Sequence, residues 1–157
     1  MKNEALIDQA DYIIEMNSGF SHSPHQLIFF VYGLLQGNDC VFGYRSLTSL
    51  RYRGSNFRRF VSLGGAWISS GLLGTRLRDI TSGYEGFTSN ALKKIIHKPF
   101  LSSAHFWYVE LKARAREMKY IEVPITYQFP SPRMNFSSIL NSLAILSILV
   151  LDRLKGK

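Results

Sequence analysis

Two spacings of apolar residues alternate along this chain. Short runs rich in apolar and aromatic residues predict strands over residues 11–16, 39–43, 83–88 and 121–129, of which the first is expected to be buried and the last, with Pro124, to lie at an edge or a bulge. Longer segments with apolar residues three or four positions apart predict helices over residues 2–10, 24–36, 57–73, 89–97, 104–118 and 138–155. Because strands and helices alternate, the pattern indicates an α/β fold. Residues 44–56 are polar and basic and are predicted to form a loop.

The last predicted helix differs from the others because it is apolar on most sides. About 17 residues rise roughly 25 Å in a helix, which is short of the ~30 Å hydrocarbon core of a bilayer. Two interpretations stay open: a helix lying in a membrane interface, with Arg153, Lys155 and Lys157 at anionic head groups, and a helix buried in a core. The sequence therefore divides into a main α/β domain over residues 1–137 and a C-terminal helix over residues 138–157.

Composition narrows the class of protein. The chain has 157 residues, a size typical of one domain, and a net charge of +8 that favours anionic partners. The single cysteine, Cys40, excludes an intrachain disulfide. The N-terminal residues are polar with no apolar signal core after them, so we predict no secretory signal. Basic and aromatic residues mix between residues 44 and 60, but Phe57 and Phe60 belong to a helical apolar stripe, so we predict no nucleic-acid partner.

Four sequence blocks carry the functional signal, and they occur in a fixed order. They are Glu15–Pro24 after the first strand, Cys-Val-Phe-Gly-Tyr-Arg at 40–45, Asp-Ile-Thr-Ser-Gly-Tyr at 79–84, and Glu110 with an Arg-Ala pair followed by Glu-Val-Pro-Ile at 122–125. Together they resemble family 2 glycosyltransferases of the dolichol-phosphate mannose synthase, or polyprenol-phosphate sugar transferase, group. That group has Asp-x-Asp, Val-x-Gly-Ser-Arg, Asp-x-Thr-Ser-Gly-Phe, and Glu, Arg-Ala and Glu-Val-Pro-Ile at these places.

The resemblance implies an incomplete GT-A fold, a Rossmann-like mixed sheet flanked by helices. Two departures from the family pattern matter. The family begins with strands that bind the nucleotide, and the first third of its catalytic domain has no counterpart here. In addition, Asn17-Ser18-Gly19 stands where Asp-x-Asp is expected. The family's divalent cation, Mg²⁺ or Mn²⁺, prefers carboxylate oxygens, so Asn17 is a degenerate metal ligand and metal binding should fall sharply.

The resemblance also implies site residues, each with a structural alternative. Asp79 would orient or stabilise the reacting groups; alternatively it bonds backbone amides of a turn. Glu110 would face the cleft; alternatively it forms an i,i+4 ion pair with Arg114. Arg45 and Arg133 would hold donor and acceptor phosphates; alternatively Arg45 belongs to a solvated basic face.

These roles predict a transferase that moves a hexose, mannose or glucose, from a nucleotide sugar to a polyprenyl phosphate. It would act peripherally at the cytoplasmic face of the membrane. The missing strands point to a partner, either a separately encoded N-terminal half or further copies of the chain. The alternative function is an inactive transferase remnant that binds lipid phosphate or a protein.

Overall fold

The computed structural model of the chain describes residues 7–18, 21–50, 56–102, 106–127 and 136–156. Its strands are β1 (Tyr12–Glu15), β2 (Cys40–Leu50), β3 (Glu85–Thr88) and β4 (Tyr120–Tyr127). Its α-helices are α1 (Leu27–Leu35), α2 (Asn56–Leu73), α3 (Ser89–Ile96), α4 (Trp107–Arg114) and α5 (Phe136–Leu154). A 3₁₀ turn, Pro24–Gln26, leads into α1. The elements therefore follow the predicted alternation.

The chain divides into two compact units. The first, the sheet unit, comprises residues 1–52, 82–98 and 117–130 and includes all four described strands with α1 and α3. The second, the helical unit, comprises residues 53–81, 99–116 and 131–157 and includes α2, α4 and α5.

The sheet of the first unit has the order β1-β3-β2-β4. β3 pairs antiparallel with both β1 and β2, whereas β2 and β4 are parallel. The mixed sheet predicted from the sequence is thus confirmed. Pro124 lies on β4, which is an edge strand of the described sheet, as expected for a residue that donates no ladder hydrogen bond.

The predicted loop over residues 44–56 is wrong in its first half, because β2 continues to Leu50. Tyr44 and Arg45 pair in register with Pro124 and Ile125 of β4, and the register shifts between Arg45 and Leu50. Pairing with the distant strand β4 outweighs the polar composition of residues 44–50. The sequence of this segment alone does not reveal that pairing.

The core of the sheet unit lies between α1 and the sheet. Its fully buried members are Phe30, Leu34, Val41, Tyr84 and Ile125. Gly33 lets α1 approach the sheet closely, because a Cβ atom there would lie 2.8 Å from side-chain atoms of both Val41 and Ile121.

In the helical unit, α2 and α5 contact each other. Arg153 of α5 donates hydrogen bonds from Nη1 to the carbonyl oxygens of Gly71 (3.1 Å) and Leu72 (2.7 Å), so it satisfies the C-terminal end of α2. α5 begins two residues before its predicted start. Within the described ranges, no helix is both long enough and apolar enough to cross a membrane.

Candidate active site

Asp79 forms a hydrogen-bonded turn inside the helical unit. Its side chain is buried, and its Oδ1 accepts hydrogen bonds from the backbone N–H of Thr81 (3.2 Å) and from the Thr81 hydroxyl (2.9 Å). An aspartate that bonds the backbone two residues ahead fixes the local turn. The turn alternative stated above therefore describes the geometry, while the role of Asp79 in transfer stays a prediction. The two can coexist, because the turn also fixes the direction of the carboxylate.

Lys112 supports this turn, and sequence analysis missed it. The residue lies on α4, is fully buried, and donates from Nζ to the carbonyl oxygen of Ile80 at 3.3 Å. A buried ammonium is costly unless hydrogen-bonded, so its position is tightly constrained. The sequence offered only a weak indication that Lys112 is buried. Lys112 lies four residues after Tyr108 and three before Ala115, which places it beside the apolar stripe of its helix.

Glu110 lies one turn of α4 before Arg114 and is buried. Its carboxylate accepts from the N–H groups of Leu101 and Ser102 at 2.9–3.1 Å. Arg114 Nη2 lies 2.6 Å from Glu110 Oε1 and also donates to the Pro99 carbonyl at 2.7 Å. The i,i+4 pair is thus present, but buried rather than exposed, and it holds the segment 99–102 against α4. We call Glu110 and Arg114 the carboxylate clamp; whether Glu110 also meets a ligand stays a prediction.

In the loop after β1, Asn17 is hydrogen-bonded to His22. The Asn17 backbone N–H donates to His22 Nδ1 at 3.2 Å. The His22 ring is buried and stacks on Tyr84 with centroids 4.9 Å apart. A histidine that accepts at Nδ1 carries its proton on Nε2, so neither ring nitrogen offers a lone pair to a metal. Burial also raises the pKa of Tyr84, which keeps its hydroxyl neutral.

The described residues Asn17 and Ser18 of this loop offer no carboxylate to a divalent cation. Asn17 supplies a neutral amide, Ser18 supplies a hydroxyl, and Gly19 lies outside the described residues. Across the part of the chain that the structure describes, no group of three or more His, Cys, Asp or Glu side chains could hold a metal ion. Mg²⁺ and Mn²⁺ sites are built from carboxylate and carbonyl oxygens, so we derive no chemistry through a metal here.

The remaining predicted site residues fall in different places. Arg45 lies on β2 in the sheet unit and is half-buried. Arg133 lies outside the described residues. Asp79 and Glu110 both belong to the helical unit, where Lys112 joins α4 to the Asp79 turn.

Cys40 is not a candidate nucleophile. Burial, reinforced by Asp39 and then Glu85, raises its thiol pKa to about 12. The reactive form of cysteine is the thiolate, which is scarce at such a pKa. Cys40 therefore acts as a buried apolar side chain, as its position in an apolar run suggests.

Known proteins resemble this chain in sequence and in fold. The chain is 30% identical over 118 residues to the polyprenol monophosphomannose synthase of Mycolicibacterium smegmatis, a match that covers 73% of the chain and 44% of that protein. It is 28% identical over 120 residues to the undecaprenyl-phosphate mannosyltransferase of Micrococcus luteus, covering 74% of the chain and 49% of that protein. No family model matches the sequence.

A solved structure matches most of the chain. Glucosyl-3-phosphoglycerate synthase from Mycobacterium tuberculosis, crystallised with uridine diphosphate, superposes with a TM-score of 0.55 and 14% identity. The match covers 94% of this chain and 53% of that one. The fold is therefore of the GT-A glycosyltransferase type, as predicted.

The two curated relatives confirm the family resemblance. This chain is homologous to the polyprenyl-phosphate mannosyltransferases of glycosyltransferase family 2. It spans about half the length of the curated relatives it matches.

Proposed function

We propose that this chain forms the acceptor-side part of a glycosyltransferase that moves a hexose from a nucleotide sugar to a polyprenyl phosphate. The observation that carries the proposal is the buried Asp79 turn, which sits in the Asp-x-Thr-Ser-Gly motif of a chain homologous to polyprenyl-phosphate mannosyltransferases. The donor would be a mannose or glucose nucleotide. Residues that grip the nucleotide base would come from a polypeptide equivalent to the part of the relatives that this chain does not span.

The reaction needs no protein nucleophile. An oxygen of the acceptor phosphate attacks the anomeric carbon, the bond from that carbon to the nucleotide diphosphate breaks, and the diphosphate leaves with the electron pair. The phosphate is already ionised at neutral pH, so the main task is to orient and stabilise charge. Asp79 would orient the reacting groups, Lys112 would position the Asp79 turn, and Arg45 and Arg133 would hold phosphate oxygens.

Charge neutralisation of the leaving diphosphate is the step that the altered loop changes most. Because Asn17 and Ser18 are neutral and His22 is hydrogen-bonded to the Asn17 backbone, arginines would neutralise the charge of the leaving diphosphate. Arginine presents a planar fork of donors that suits phosphate oxygens. Arg133 is our candidate for the donor phosphates.

We place the protein at the cytoplasmic face of the membrane, as a peripheral protein. The support lies on α5, where exposed apolar residues alternate with polar ones and the end of the helix is basic. The exposed apolar residues are Leu140, Leu143, Ile148, Leu151 and Leu154. A helix of this kind lies in the interface, with the nearby Lys155 facing anionic head groups. Flotation with vesicles of anionic phospholipid should carry the protein upward, and Leu143→Glu with Leu151→Glu should leave it at the bottom of the gradient.

A sugar-transfer assay tests the proposal. Labelled GDP-mannose or UDP-glucose is mixed with polyprenyl phosphate in vesicles and with the chain, alone and with a polypeptide equivalent to the part of the relatives that this chain does not span. We expect transfer in the second mixture, and a loss of about 100-fold or more for Asp79→Asn, in line with the removal of an electrostatic catalytic group. Asp11→Asn is the matched control, because Asp11 is an exposed aspartate of the same chain. Equal transfer by both variants would refute the role of Asp79.

The second candidate function is an inactive remnant that binds lipid phosphate or a protein. The neutral Asn17–His22 hydrogen bond favours it, because these two residues bond each other without a metal. This candidate predicts binding to polyprenyl-phosphate vesicles with no turnover in any mixture. Turnover that Asp79→Asn abolishes would eliminate it.

A further inference from the structure

Helix α1 is apolar at every position, and one side of it is uncovered. Its sequence from Leu27 to Leu35 is Leu-Ile-Phe-Phe-Val-Tyr-Gly-Leu-Leu. Phe30, Gly33 and Leu34 are buried toward the sheet. The opposite side exposes five large side chains: Leu27 (40%), Ile28 (62%), Phe29 (53%), Tyr32 (62%) and Leu35 (61%). We call these five residues the α1 face.

The α1 face lies near the upper end of the apolar patches that monomeric proteins expose. Taking ~200 Å² for a fully exposed large side chain, these fractions correspond to about 550 Å² of surface. The largest apolar patch of a monomeric soluble protein is typically about 300–600 Å² and is often functional. A helix that is apolar all round is typical of one buried on both sides. The face therefore calls for an apolar occupant.

We infer that the α1 face is a two-fold interface on which a second copy of this chain packs its own α1 in the antiparallel direction. Ile28, Tyr32 and Leu35 are spaced four and three residues apart and form one stripe. A two-fold axis near Tyr32 sets Ile28 against Leu35 of the second copy and Tyr32 against its counterpart.

Three features favour a second copy as the occupant. α1 carries no charged residue, so no like charges meet across the axis. The partner helix has the same nine-residue length of about 13 Å, so neither apolar stripe extends past the other. If all five residues of both faces are covered, two α1 faces together bury up to about 1,100 Å², which reaches the ~1,000 Å² expected of a specific interface. The inference is independent of the proposed transferase activity.

Disulfide trapping tests the axis directly. Helices that pack about 8–10 Å apart bring facing Cα atoms within roughly 4–6 Å, which a disulfide can span. Cys40, the only native cysteine, is buried and does not compete. Under a copper–phenanthroline oxidant, Tyr32→Cys should form a covalent dimer at least ten-fold faster than Leu143→Cys, a control on the exposed side of α5. Equal cross-linking of the two variants would overturn the two-fold arrangement.

Sedimentation velocity tests the association without cross-linking. The unmodified chain should show a concentration-dependent dimer, and Tyr32→Lys should weaken it by a factor of 100 or more, as expected for an interface centre. Leu143→Lys should leave the dimer unchanged. Both replaced side chains are exposed, and circular dichroism checks that the variants fold. A wild-type monomer, an assembly that grows past the dimer, or a Tyr32→Lys variant that still dimerises would each overturn the inference.

Discussion

The carboxylate clamp gives the sharpest test of what Glu110 does. Replacing Glu110 with alanine removes the acceptor for the Leu101 and Ser102 N–H groups and leaves Arg114 without its carboxylate. Breaking a buried ion pair by removing one partner costs about 3–5 kcal/mol. Arg114 is one-fifth exposed and keeps its bond to the Pro99 carbonyl, so part of its charge stays satisfied. We therefore expect a loss near the lower end, about 3 kcal/mol.

Urea unfolding of the helical unit measures this cost. Trp107 begins α4 and packs edge-to-face on Phe100 with centroids 6.0 Å apart, so its fluorescence reports the clamp region. Trp67→Phe removes the other tryptophan, which is largely exposed. For a slope of about 2 kcal/mol per molar urea, Glu110→Ala should lower the midpoint by about 1.5 M.

Two further variants set the scale. Glu110→Gln keeps one acceptor oxygen but loses the charge, so its loss should be about 1–2 kcal/mol. Asp152→Ala, at an exposed position of the helical unit, should stay within about 0.5 kcal/mol of the parent. If Glu110→Ala also unfolds within about 0.5 kcal/mol of the parent, the clamp does not stabilise the protein. Loss of sugar transfer in such a stable variant would instead assign Glu110 to the ligand cleft.

Three other predictions follow from single positions. Burial raises the pKa of the Cys40 thiol from an ordinary 9.0 to about 12, so the unfolded chain loses the thiol proton at a lower pH than the folded chain. The free energy of unfolding, relative to that of Cys40→Ala, should therefore fall above pH 9.0 by about 1.4 kcal/mol per pH unit. Urea midpoints of the two proteins across this pH range measure the difference. Gly74 has a φ of +71°, so Gly74→Ala should destabilise the folded protein by about 1–2 kcal/mol. Gly64 lies at an uncrowded helical position, so Gly64→Ala should stabilise the folded protein by up to about 1 kcal/mol. Melting curves of the two variants and the parent test both expectations. Mn²⁺ should leave the melting temperature of the parent unchanged but raise that of Asn17→Asp with Gly19→Asp, which restores two carboxylates; an equal rise in both would contradict the neutral loop.

The alternation of strands and helices was predictable because each element carries its own apolar spacing. The extension of β2 past Gly43 was not, since it depends on pairing with β4 about 80 residues away. The same distinction applies to the site. Asp79 and Glu110 stood in recognisable motifs, but Lys112 contacts the Asp79 turn only after α4 has packed, and its place beside an apolar stripe is only a weak sign of burial. The hydrogen bond that His22 Nδ1 accepts from the Asn17 backbone likewise forms only in the folded loop, and no residue spacing in the sequence indicates it.

The retained motif residues have structural duties of their own. Asp79 holds its turn through Thr81, and Glu110 holds the segment 99–102 through backbone N–H groups. Their presence is therefore expected both of an active transferase and of a stable remnant. What separates the two is charge: Asp79→Asn keeps an acceptor oxygen for the turn while removing the negative charge that would act on a bound sugar or phosphate. A variant that keeps the urea midpoint and loses transfer identifies catalysis, whereas a parallel loss of both identifies folding.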